Sequence, residues 1–392
     1  MKSLNRRNGS FEESMIREMT IQANKYGAIN LAQGFPEFDP PKELRRSLEQ
    51  TALTGPHQYA PNWGADDLRR AIARKQSKTL GFPVDFQKNI LVTCGSTEAM
   101  ISTMMALFNP GDKVLLFSPY YNSYVANAVM VGAEPVFVEL SPPDFTFDKA
   151  ELESAFEQDP KALILCNPSN PSGKVFTREE LLFIAQLAEK HDTYVITDEV
   201  YEHLVYKPNR HVSFASLPGM FHRTVTCSSL SKTYSITGWR LGYVTAPFEL
   251  LAEIRKYHDF MTVCAPSPLQ HAAVTALCFR EDYYKNLLDL YTRKRELLVH
   301  GLEALGYRCT HPQGTYFILV DISEFGYDDD RAFCRTLVRD FGVAAVPGSC
   351  FFAKPENRYI RLHFAKNDDT LFDVIRRFDQ LKRRLSLVEN IL

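Results

Sequence analysis

The chain has 392 residues, of which 45% are hydrophobic and 23% are charged. This balance is typical of a globular protein, and the length exceeds what one ordinary core supports, since compact domains peak near roughly 100 to 150 residues. Lys and Arg total 45 against 47 Asp and Glu, which leaves a formal net charge of -2. So small a charge excludes strong electrostatic attraction to nucleic acid or anionic lipid, and we expect neither as a partner.

Membrane-spanning and metal-binding patterns are missing from the sequence. Residues 1–10 are basic and polar with no apolar run behind them, and no later stretch is apolar over the length that a bilayer requires. The eight cysteines are scattered, with no CxxC pair and no grouping with histidine at ligand spacing. We therefore expect a cytoplasmic protein without a metal site.

Short β-rich runs alternate with longer stretches of helical period from about residue 89 to residue 246. The helical stretches include 98–108 and 178–189, for which Thr97 and Thr177 are the expected N-caps. Such alternation predicts a mainly parallel sheet, whose carboxyl edge gathers loops, helix N-termini and ligands. The predicted strands are 90–93, 114–117, 135–138, 162–165, 194–197, 224–226 and 242–245.

The rest of the chain begins with a long predicted helical segment at 268–305 and then mixes strands with helices. This mixture predicts a smaller α+β domain, which the residues before position 40 are expected to join. The strands are predicted at 316–320, 343–346 and 359–364, and the helices at 329–341 and 370–385. The chain is thus predicted to be an α/β protein with a large domain of residues 40–285 and a small domain of residues 1–39 and 286–392.

Lys232 stands among hydroxyl-bearing residues in the segment SSLSKTYSITGWRLG, residues 228–242. A single lysine is most often a plain surface residue, but Ser229, Ser231 and Arg240 could form an anion pocket beside this amine. The pattern SxSKxxxxxGxRxG resembles the cofactor-lysine segment of class I and II aminotransferases, enzymes of fold type I that use pyridoxal 5′-phosphate (PLP). The resemblance implies that Lys232 holds PLP covalently as a Schiff base and that the two serines and the arginine bind its phosphate.

Asp198 follows the predicted strand 194–197, so its carboxylate is expected at the carboxyl edge of the sheet. An isolated Asp at such a place is about as often a helix cap. In the family, an acid beside the pyridine nitrogen keeps that nitrogen protonated, so that the ring can accept electrons from the substrate. The resemblance gives this role to Asp198 and places Tyr201 near the 3′-oxygen of the ring.

Two further loops resemble parts of the family's site. The loop NPSNPSG, residues 167–173, is similar to the family's NPxNPxG loop, in which Asn170 would bond the 3′-oxygen and help to hold substrate. The step PYY, residues 119–121, resembles a Pro-aromatic-aromatic step and would stack Tyr121 on the pyridine ring. Asn, Pro and Gly are also ordinary turn residues, so neither loop carries the assignment alone.

Gly95, Ser96 and Thr97 join the predicted strand 90–93 to a helix. The N–H groups at the start of a helix, together with the helix dipole, can bind a phosphate. By itself this pattern is only a capping signal. Combined with the serines and the arginine around Lys232, it completes a predicted phosphate site.

The segment YAPNWG, residues 59–64, is followed by LRRAI at 68–72 and resembles the family's YxPxxGxxxLRxAI segment. In the family this tyrosine reaches the phosphate bound by the neighbouring subunit. The resemblance therefore implies a homodimer in which Tyr59 crosses to the other site.

The run YIRLHFA, residues 359–365, alternates like a strand and carries the family's RxxFA pattern. In that pattern the arginine, here Arg361, binds the α-carboxylate of the substrate, a task that suits a planar guanidinium. A strand arginine seen without its neighbours is more often simply exposed. Gly34, in the run NLAQGFP, is expected close to the same carboxylate through its backbone.

These motifs run in family order from Gly34 to Arg361 and so cover nearly the whole chain. The runs INLAQGFP and HQYAP are most similar to the methionine and kynurenine/glutamine aminotransferase group. Val263 and Cys264 stand where the animal kynurenine branch has an aromatic-histidine pair, so that branch's aromatic substrate wall is not implied.

The resemblance implies transfer of an amino group from an L-amino acid, large neutral, sulfur-containing or aromatic, to a 2-oxo acid. A C–S β-lyase, a cyclising synthase and an oxidase are the alternatives within the fold, since PLP supports each chemistry when substrate groups are held differently. A PLP-sensing regulatory domain is a distant alternative, because we expect no DNA-binding domain ahead of Gly34. No GxGxxG follows a predicted strand, which disfavours a nicotinamide dehydrogenase.

Overall fold

The computed structural model describes residue 5, residues 13–327 and residues 329–389, with side chains up to residue 384. In chain order, its helices are α1 (Met15–Tyr26), α2 (Lys42–Thr54), α3 (Asp66–Leu80), α4 (Phe86–Asn89), α5 (Ser96–Leu107), α6 (Ser123–Val131), α7 (Lys149–Phe156), α8 (Arg178–Lys190), α9 (Phe248–Thr262), α10 (Ser267–Ala273), α11 (Glu281–Ala304), α12 (Asp330–Asp340) and α13 (Asp368–Glu389). Its strands are β1 (Ile29–Asn30), β2 (Ile90–Thr93), β3 (Lys113–Ser118), β4 (Glu134–Ser141), β5 (Thr146–Phe147), β6 (Ala162–Cys166), β7 (Tyr194–Asp198), β8 (Thr224–Ser229), β9 (Gly242–Thr245), β10 (Arg308–Cys309), β11 (Phe317–Asp321), β12 (Val343–Ala344), β13 (Val346–Pro347) and β14 (Tyr359–His363).

The largest sheet of the described residues has eight strands in the order β2-β9-β8-β7-β6-β3-β4-β5. Neighbours are parallel from β8 through β7, β6 and β3 to β4. Strand β9 runs antiparallel to both its neighbours, and β5 runs antiparallel to β4. The prediction of a mainly parallel sheet is confirmed, and no predicted strand end differs from the structure by more than three residues.

Successive residues of each strand point to opposite faces of this sheet, and apolar residues lie on both faces. In β3, Leu115 and Phe117 belong to the core formed with α7 and α8. Val114 and Leu116, between them, belong to the core formed with α5, α6 and α9. Helices therefore cover both faces, and the ends of the strands are left to carry polar groups.

A second sheet has the order β10-β11-β14-β13 and is antiparallel throughout. Its core includes residues of α1, α11, α12 and α13, and β1 pairs with β12 beside it. Met19 and Ala23 of α1 are buried in this core, so the N-terminal part of the described chain packs with the C-terminal part. The predicted architecture of a large α/β domain and a smaller α+β domain is confirmed.

The exact limits of the two domains stay a prediction, with residues 40–285 in one and residues 1–39 and 286–392 in the other. Residues 1–4, 6–12, 328 and 390–392, which this division assigns to the small domain, lie outside the described residues.

The predicted helical segment at 268–305 is wrong in its middle. Helix α10 ends at Ala273, a 3₁₀ turn covers Ala276–Cys278, and α11 begins only at Glu281. The backbone is extended at Phe279 (φ -64°, ψ 144°), whose ring lies 4.7 Å from the ring centre of Tyr283. The extended backbone at Phe279 thus separates two helices that the sequence-based prediction joined.

Two other local predictions were wrong and one is confirmed. The predicted strand 343–346 is divided at Ala345, because β12 pairs with β1 and β13 pairs with β14. Thr97 is not the N-cap of α5; Gly95 is, with φ 82°, and Thr97 lies in the first turn. Thr177 is the N-cap of α8 as predicted and forms a capping box.

None of the helices in the described part of the chain combines the length and the apolar character that crossing a bilayer requires. Within the same residues, no group of three or more His, Cys, Asp or Glu side chains is arranged to hold a metal ion.

Candidate active site

Most of the residues singled out in the sequence meet at the carboxyl edge of the large sheet. Asp198, the last residue of β7, pairs in register with Cys166 of β6 and with Cys227 of β8. Because the carboxyl ends of parallel strands meet at one edge, the loops that follow them surround a single space. The loops after β2, β3, β6 and β8 carry Gly95, Tyr121, Asn170 and Lys232.

Asp198 is a buried acid, with 9% of its surface exposed. The hydroxyl of Tyr124 donates to Oδ2 of Asp198 over 2.7 Å, and the amide of Val200 donates to Oδ1 over 3.4 Å. Burial raises the pKa of Asp198, while these two donors and the nearby charge of Lys232 oppose the shift. Each carboxylate oxygen can accept another hydrogen bond, so Asp198 can bind an N–H group of a ligand.

Lys232 lies where the large sheet faces the small one. Its Nζ donates to the carbonyl of Gly34 over 3.0 Å and lies 5.9 Å and 5.8 Å from the ring centres of Tyr201 and Tyr316. Tyr316 donates to the same carbonyl over 2.8 Å. Two aromatic rings thus lie beside the amine, and a neutral acceptor positions it. A lysine amine so placed can form a Schiff base with a carbonyl compound.

Tyr201 is 4% exposed and stands edge-on to Tyr316, with 5.2 Å between the ring centres. Burial, with Tyr316 as the next largest influence, raises the pKa of Tyr201. Its hydroxyl therefore keeps its proton and can donate a hydrogen bond to a ligand oxygen.

Arg361 is a buried guanidinium without a carboxylate partner among the ion pairs of the described residues, and it is 1% exposed. It donates from Nη1 to Oδ1 of Asn170 and from Nη2 to the carbonyl of Ala32, each over 2.8 Å. Its Nε is buried without a hydrogen-bond partner within the described ranges. Burial lowers the pKa of Arg361, and an anion would offset the cost of this unpaired charge.

The start of α5 and Arg240 form the other end of the site. Helix α5 begins at Ser96, and the first N–H groups of a helix have no acceptor within it. Arg240 donates from Nη1 to the carbonyl of Thr237 over 3.0 Å and from Nη2 to that of Cys94 over 3.5 Å. A Cβ atom on Gly95 would lie 2.5 Å from Nη2 of Arg240. The positive charge and the helix N–H donors therefore lie side by side, as an anion site requires.

Two serines border the same end. Ser229 and Ser231 are 5% and 4% exposed, and the amide of Ser231 donates to Oγ of Ser229 over 3.4 Å. The hydroxyl oxygen of Ser231 is buried and finds no hydrogen-bond partner in the described part of the chain, a need that a ligand oxygen would meet. Thr97 is exposed in the first turn of α5. This donor set fits a phosphate group, and Asp198 fits a protonated ring nitrogen.

Tyr121 is half-buried and meets Tyr124 edge-on, with 5.6 Å between the ring centres and 87° between the ring planes. Because Tyr124 holds Asp198, the ring of Tyr121 borders the space beside that acid. This position suits a ring that stacks on a planar ligand.

Tyr59 is not brought into this group, because its side chain is 81% exposed on the loop before α3. Asn62, in the same loop, donates from Nδ2 to Oδ2 of Asp259 in α9 over 3.1 Å. Tyr59 is therefore presented on the protein surface, and its role in a neighbouring site stays a prediction.

Two residues of the site were missed in the sequence. Tyr124 stands three residues after Tyr121, and this helical spacing could have placed it on the same side of the chain. Tyr316 lies 282 positions from Gly34, to which it donates a hydrogen bond, so no local pattern points to it.

Comparisons with known proteins agree with this geometry. The family model described as aminotransferase class I and II matches residues 26–378. The chain is 38% identical over 369 residues to methionine aminotransferase of Escherichia coli (strain K12), which covers 94% of this chain and 96% of that protein. It is 34% identical over 390 residues to kynurenine–oxoglutarate transaminase 1 of Homo sapiens, and the match covers 90% of this chain and 92% of that protein. The solved structure of N-succinyldiaminopimelate aminotransferase from Mycobacterium tuberculosis matches with a TM-score of 0.93 at 37% identity, over 97% of this chain and 100% of that chain.

The predicted similarity to the methionine and kynurenine group is thus confirmed along nearly the full length of the chain. The chain belongs to the family of class I and II aminotransferases, has the fold type I architecture, and is an enzyme that transfers amino groups.

Proposed function

We propose that the protein is a PLP-dependent aminotransferase in which Lys232 binds the cofactor and an amino group passes from an L-amino acid to a 2-oxo acid. The observation that carries this proposal is the buried Arg361, which has no anionic partner among the described residues and shares a site with the amine of Lys232 and the acid Asp198. A buried charge without a partner is costly. Arg361 is best explained as the group that binds the carboxylate of the substrate.

When bound, PLP supplies an aldehyde that condenses with amines and a protonated ring that withdraws electrons from the α-carbon of the substrate. The carboxylate of Asp198 would hold the proton on the ring nitrogen, and Tyr124 fixes the orientation of that carboxylate. Tyr201 and Asn170 would donate hydrogen bonds to the 3′-oxygen, and Tyr121 would hold the ring in place by packing against it. The groups that bind the phosphate are Gly95, Ser96, Thr97, Ser229, Ser231 and Arg240.

Arg361 binds the α-carboxylate of the substrate with parallel N–H donors, assisted by Asn170 and the backbone of Gly34. The unpartnered Nε of Arg361 supplies one of these donors. The Nζ of Lys232 would take the proton from the α-carbon of the substrate and deliver it to the former aldehyde carbon of the cofactor, which is the proton shift that transfer of the amino group requires. The rings of Tyr201 and Tyr316 lie beside this amine and shield part of it from water.

We further propose that the amino donor is a large neutral amino acid, sulfur-containing or aromatic. Relatives named for methionine and for kynurenine are 38% and 34% identical to this chain. The rings of Phe317 and Phe351 flank the guanidinium of Arg361, with their centres 4.2 Å and 4.7 Å from it. These apolar surroundings support a neutral side chain next to the bound carboxylate.

A homodimer and a cytoplasmic location complete the proposal, with Tyr59 of each subunit reaching the phosphate end of the other site. Tyr59 and Phe260 are 81% and 94% exposed. The bond from Asn62 to Asp259 ties the loop of Tyr59 to α9, which carries Phe260. Exposed aromatic side chains on adjoining elements are typical of a contact surface between proteins.

The test is a single-turnover reaction of the PLP-loaded protein with a panel of amino acids, followed by product analysis. Pyridoxamine phosphate together with the matching 2-oxo acid supports transfer, and we expect methionine and aromatic amino acids to react fastest. Pyruvate released with ammonia or a thiol would support elimination and overturn the proposal.

A further inference from the structure

A buried carboxylate lies against the loop that forms the phosphate end of the site. Glu98, in the first turn of α5, is 7% exposed. Its Oε2 accepts a hydrogen bond from the amide of Cys94 over 2.7 Å, and its Oε1 accepts one from the hydroxyl of Ser102 over 2.9 Å. Nδ1 of the fully buried His258, in α9, lies 2.8 Å from the same Oε1. In the tautomer that carries its proton on Nδ1, the ring of His258 donates to this oxygen.

The residue after His258 reaches a different loop. Oδ2 of Asp259 accepts a hydrogen bond from Nδ2 of Asn62 over 3.1 Å. Asn62 stands three residues after Tyr59, whose side chain is 81% exposed. One turn of α9 therefore supports both the loop that starts α5 and the loop that carries Tyr59.

We propose that His258 and Asp259 are positioning residues for the cofactor phosphate. His258 acts through Glu98 on the start of α5 in its own subunit. Asp259 acts through Asn62 on the loop of Tyr59, which serves the other subunit. This inference rests on the proposed PLP site and homodimer, and it means that one helical turn supports phosphate binding in both sites of the dimer.

A purely structural role for these residues would have a different signature. If Glu98 only capped α5, loss of its partner His258 would lower the stability of the protein and weaken the binding of every ligand of the site alike. A positioning role changes one ligand selectively: PLP binds less tightly, whereas pyridoxal, which has the same ring and aldehyde but no phosphate, binds as before. The readout is therefore the ratio of the dissociation constants for PLP and pyridoxal.

His258→Leu removes the nitrogen that donates to Glu98, whereas His258→Asn keeps an N–H donor near the position of Nδ1. We expect His258→Leu to raise the Kd for PLP about tenfold or more, as the loss of a hydrogen bond to a charged group does, with less than about a twofold change for pyridoxal. His258→Asn should restore most of the affinity for PLP. Asn62→Ala, which releases the loop of Tyr59, should also weaken the binding of PLP and leave the binding of pyridoxal unchanged.

Thr103→Val is the matched control, because Thr103 is buried on α5 and its hydrogen bonds in the described residues go to Ala99 and Cys227. It should leave the ratio of dissociation constants unchanged. If His258→Leu does not fold, Glu98→Gln takes its place with the same expectation, since the amide keeps the shape of the carboxylate and loses its charge.

Equal losses of affinity for PLP and pyridoxal in the His258 and Asn62 variants, or no loss for either ligand, would overturn the inference. A selective loss in His258→Leu without one in Asn62→Ala would overturn the part that concerns Asp259. Wild-type protein that fails to bind PLP would instead overturn the proposed function.

Discussion

The guanidinium of Arg361 donates from Nη1 to Oδ1 of Asn170 over 2.8 Å. Arg361 lies on β14 of the small sheet and Asn170 on the loop after β6 of the large sheet, 191 positions apart in the sequence. The bond joins the group proposed to bind substrate to a group proposed to bind the 3′-oxygen of the cofactor. Such a fixed relation suits amino-group transfer, because the reacting atoms must meet at the right distance.

Arg361→Lys tests the proposed carboxylate site. A lysine keeps the charge but cannot present parallel N–H donors to a carboxylate. We expect kcat/KM for the best amino acid to fall about 30- to 1000-fold, the size of losing roughly 2 to 4 kcal/mol from a buried charged contact, with much of the change in KM. Steady-state kinetics over a range of amino acid concentrations measures this change.

The control for this substitution is Arg358→Lys, because Arg358 is exposed and pairs with Glu356 next to the same strand. It should change kcat/KM by less than about twofold, as exposed ion pairs contribute little. An unchanged KM in Arg361→Lys would contradict the assigned role.

Gly95→Ala tests the phosphate end of the site. The new Cβ would lie 2.5 Å from Nη2 of Arg240, so the guanidinium must move away from the start of α5. We expect the affinity for PLP to fall about tenfold or more, the equivalent of one lost charged hydrogen bond. Absorbance titration of the protein without cofactor measures this affinity.

Gly111→Ala separates the clash from backbone strain. Both glycines have a positive φ, 82° at Gly95 and 90° at Gly111, but a Cβ on Gly111 meets no atom within 4 Å. Each alanine should lower the unfolding free energy by roughly 1 kcal/mol or more through backbone strain. Only Gly95→Ala should lower the affinity for PLP. An equal effect of both variants on the affinity for PLP would count against the proposed phosphate site.

Lys75 and Glu202 form a buried ion pair, with 2.6 Å between Nζ and Oε1. Burial alone would raise the pKa of Glu202, but Lys75, helped by His203 and His211, lowers it to about 2. A lowered pKa in the folded state means that Glu202 stabilises the protein above its ordinary pKa of 4.5. This stabilisation is lost as the pH falls from there toward about 2.

Lys75→Met leaves Glu202 buried without its partner and should lower the unfolding free energy by about 3 to 5 kcal/mol at pH 7. The difference from wild type should be smaller at pH 4, because Glu202 then takes up a proton in the variant. Urea unfolding at the two pH values measures both differences.

Lys78→Met is the control, because it removes one partner of an exposed ion pair whose side chains are 80% and 86% exposed. It should change the unfolding free energy by about 1 kcal/mol at most. The same destabilisation by Lys75→Met at both pH values would contradict this account.

Seven of the eight strands of the large sheet, all except the two-residue β5, could be predicted because their signal is local. The runs 90–93 and 242–245 coincide with β2 and β9, since a short apolar run between turn residues is recognisable without its partners. The break between α10 and α11 could not be predicted in this way. The ring of Phe279 packs on Tyr234, 6.0 Å away between ring centres and far along the chain, so the chain turns where distant packing requires it.

The same distinction between local sequence signals and distant contacts holds in the candidate site. The segments that carry Lys232 and Asp198 could be recognised because each motif lies within a few consecutive residues. His258 could not, because its partner Glu98 is 160 positions away. Thr97 was mistaken for the cap of α5 because Gly95 carries no side-chain signal. Gly95 must lack a side chain because Arg240 approaches it closely, and this approach is seen only in the folded chain.

The attachment of PLP to Lys232 is the central claim, and borohydride reduction of the PLP-loaded protein tests it most directly. Digestion and mass spectrometry should find one phosphopyridoxyl group, on Lys232, and none in Lys232→Ala, which should still bind PLP noncovalently but lose turnover. A reduced adduct on another lysine with residue 232 unmodified, or normal turnover in Lys232→Ala, would contradict the account.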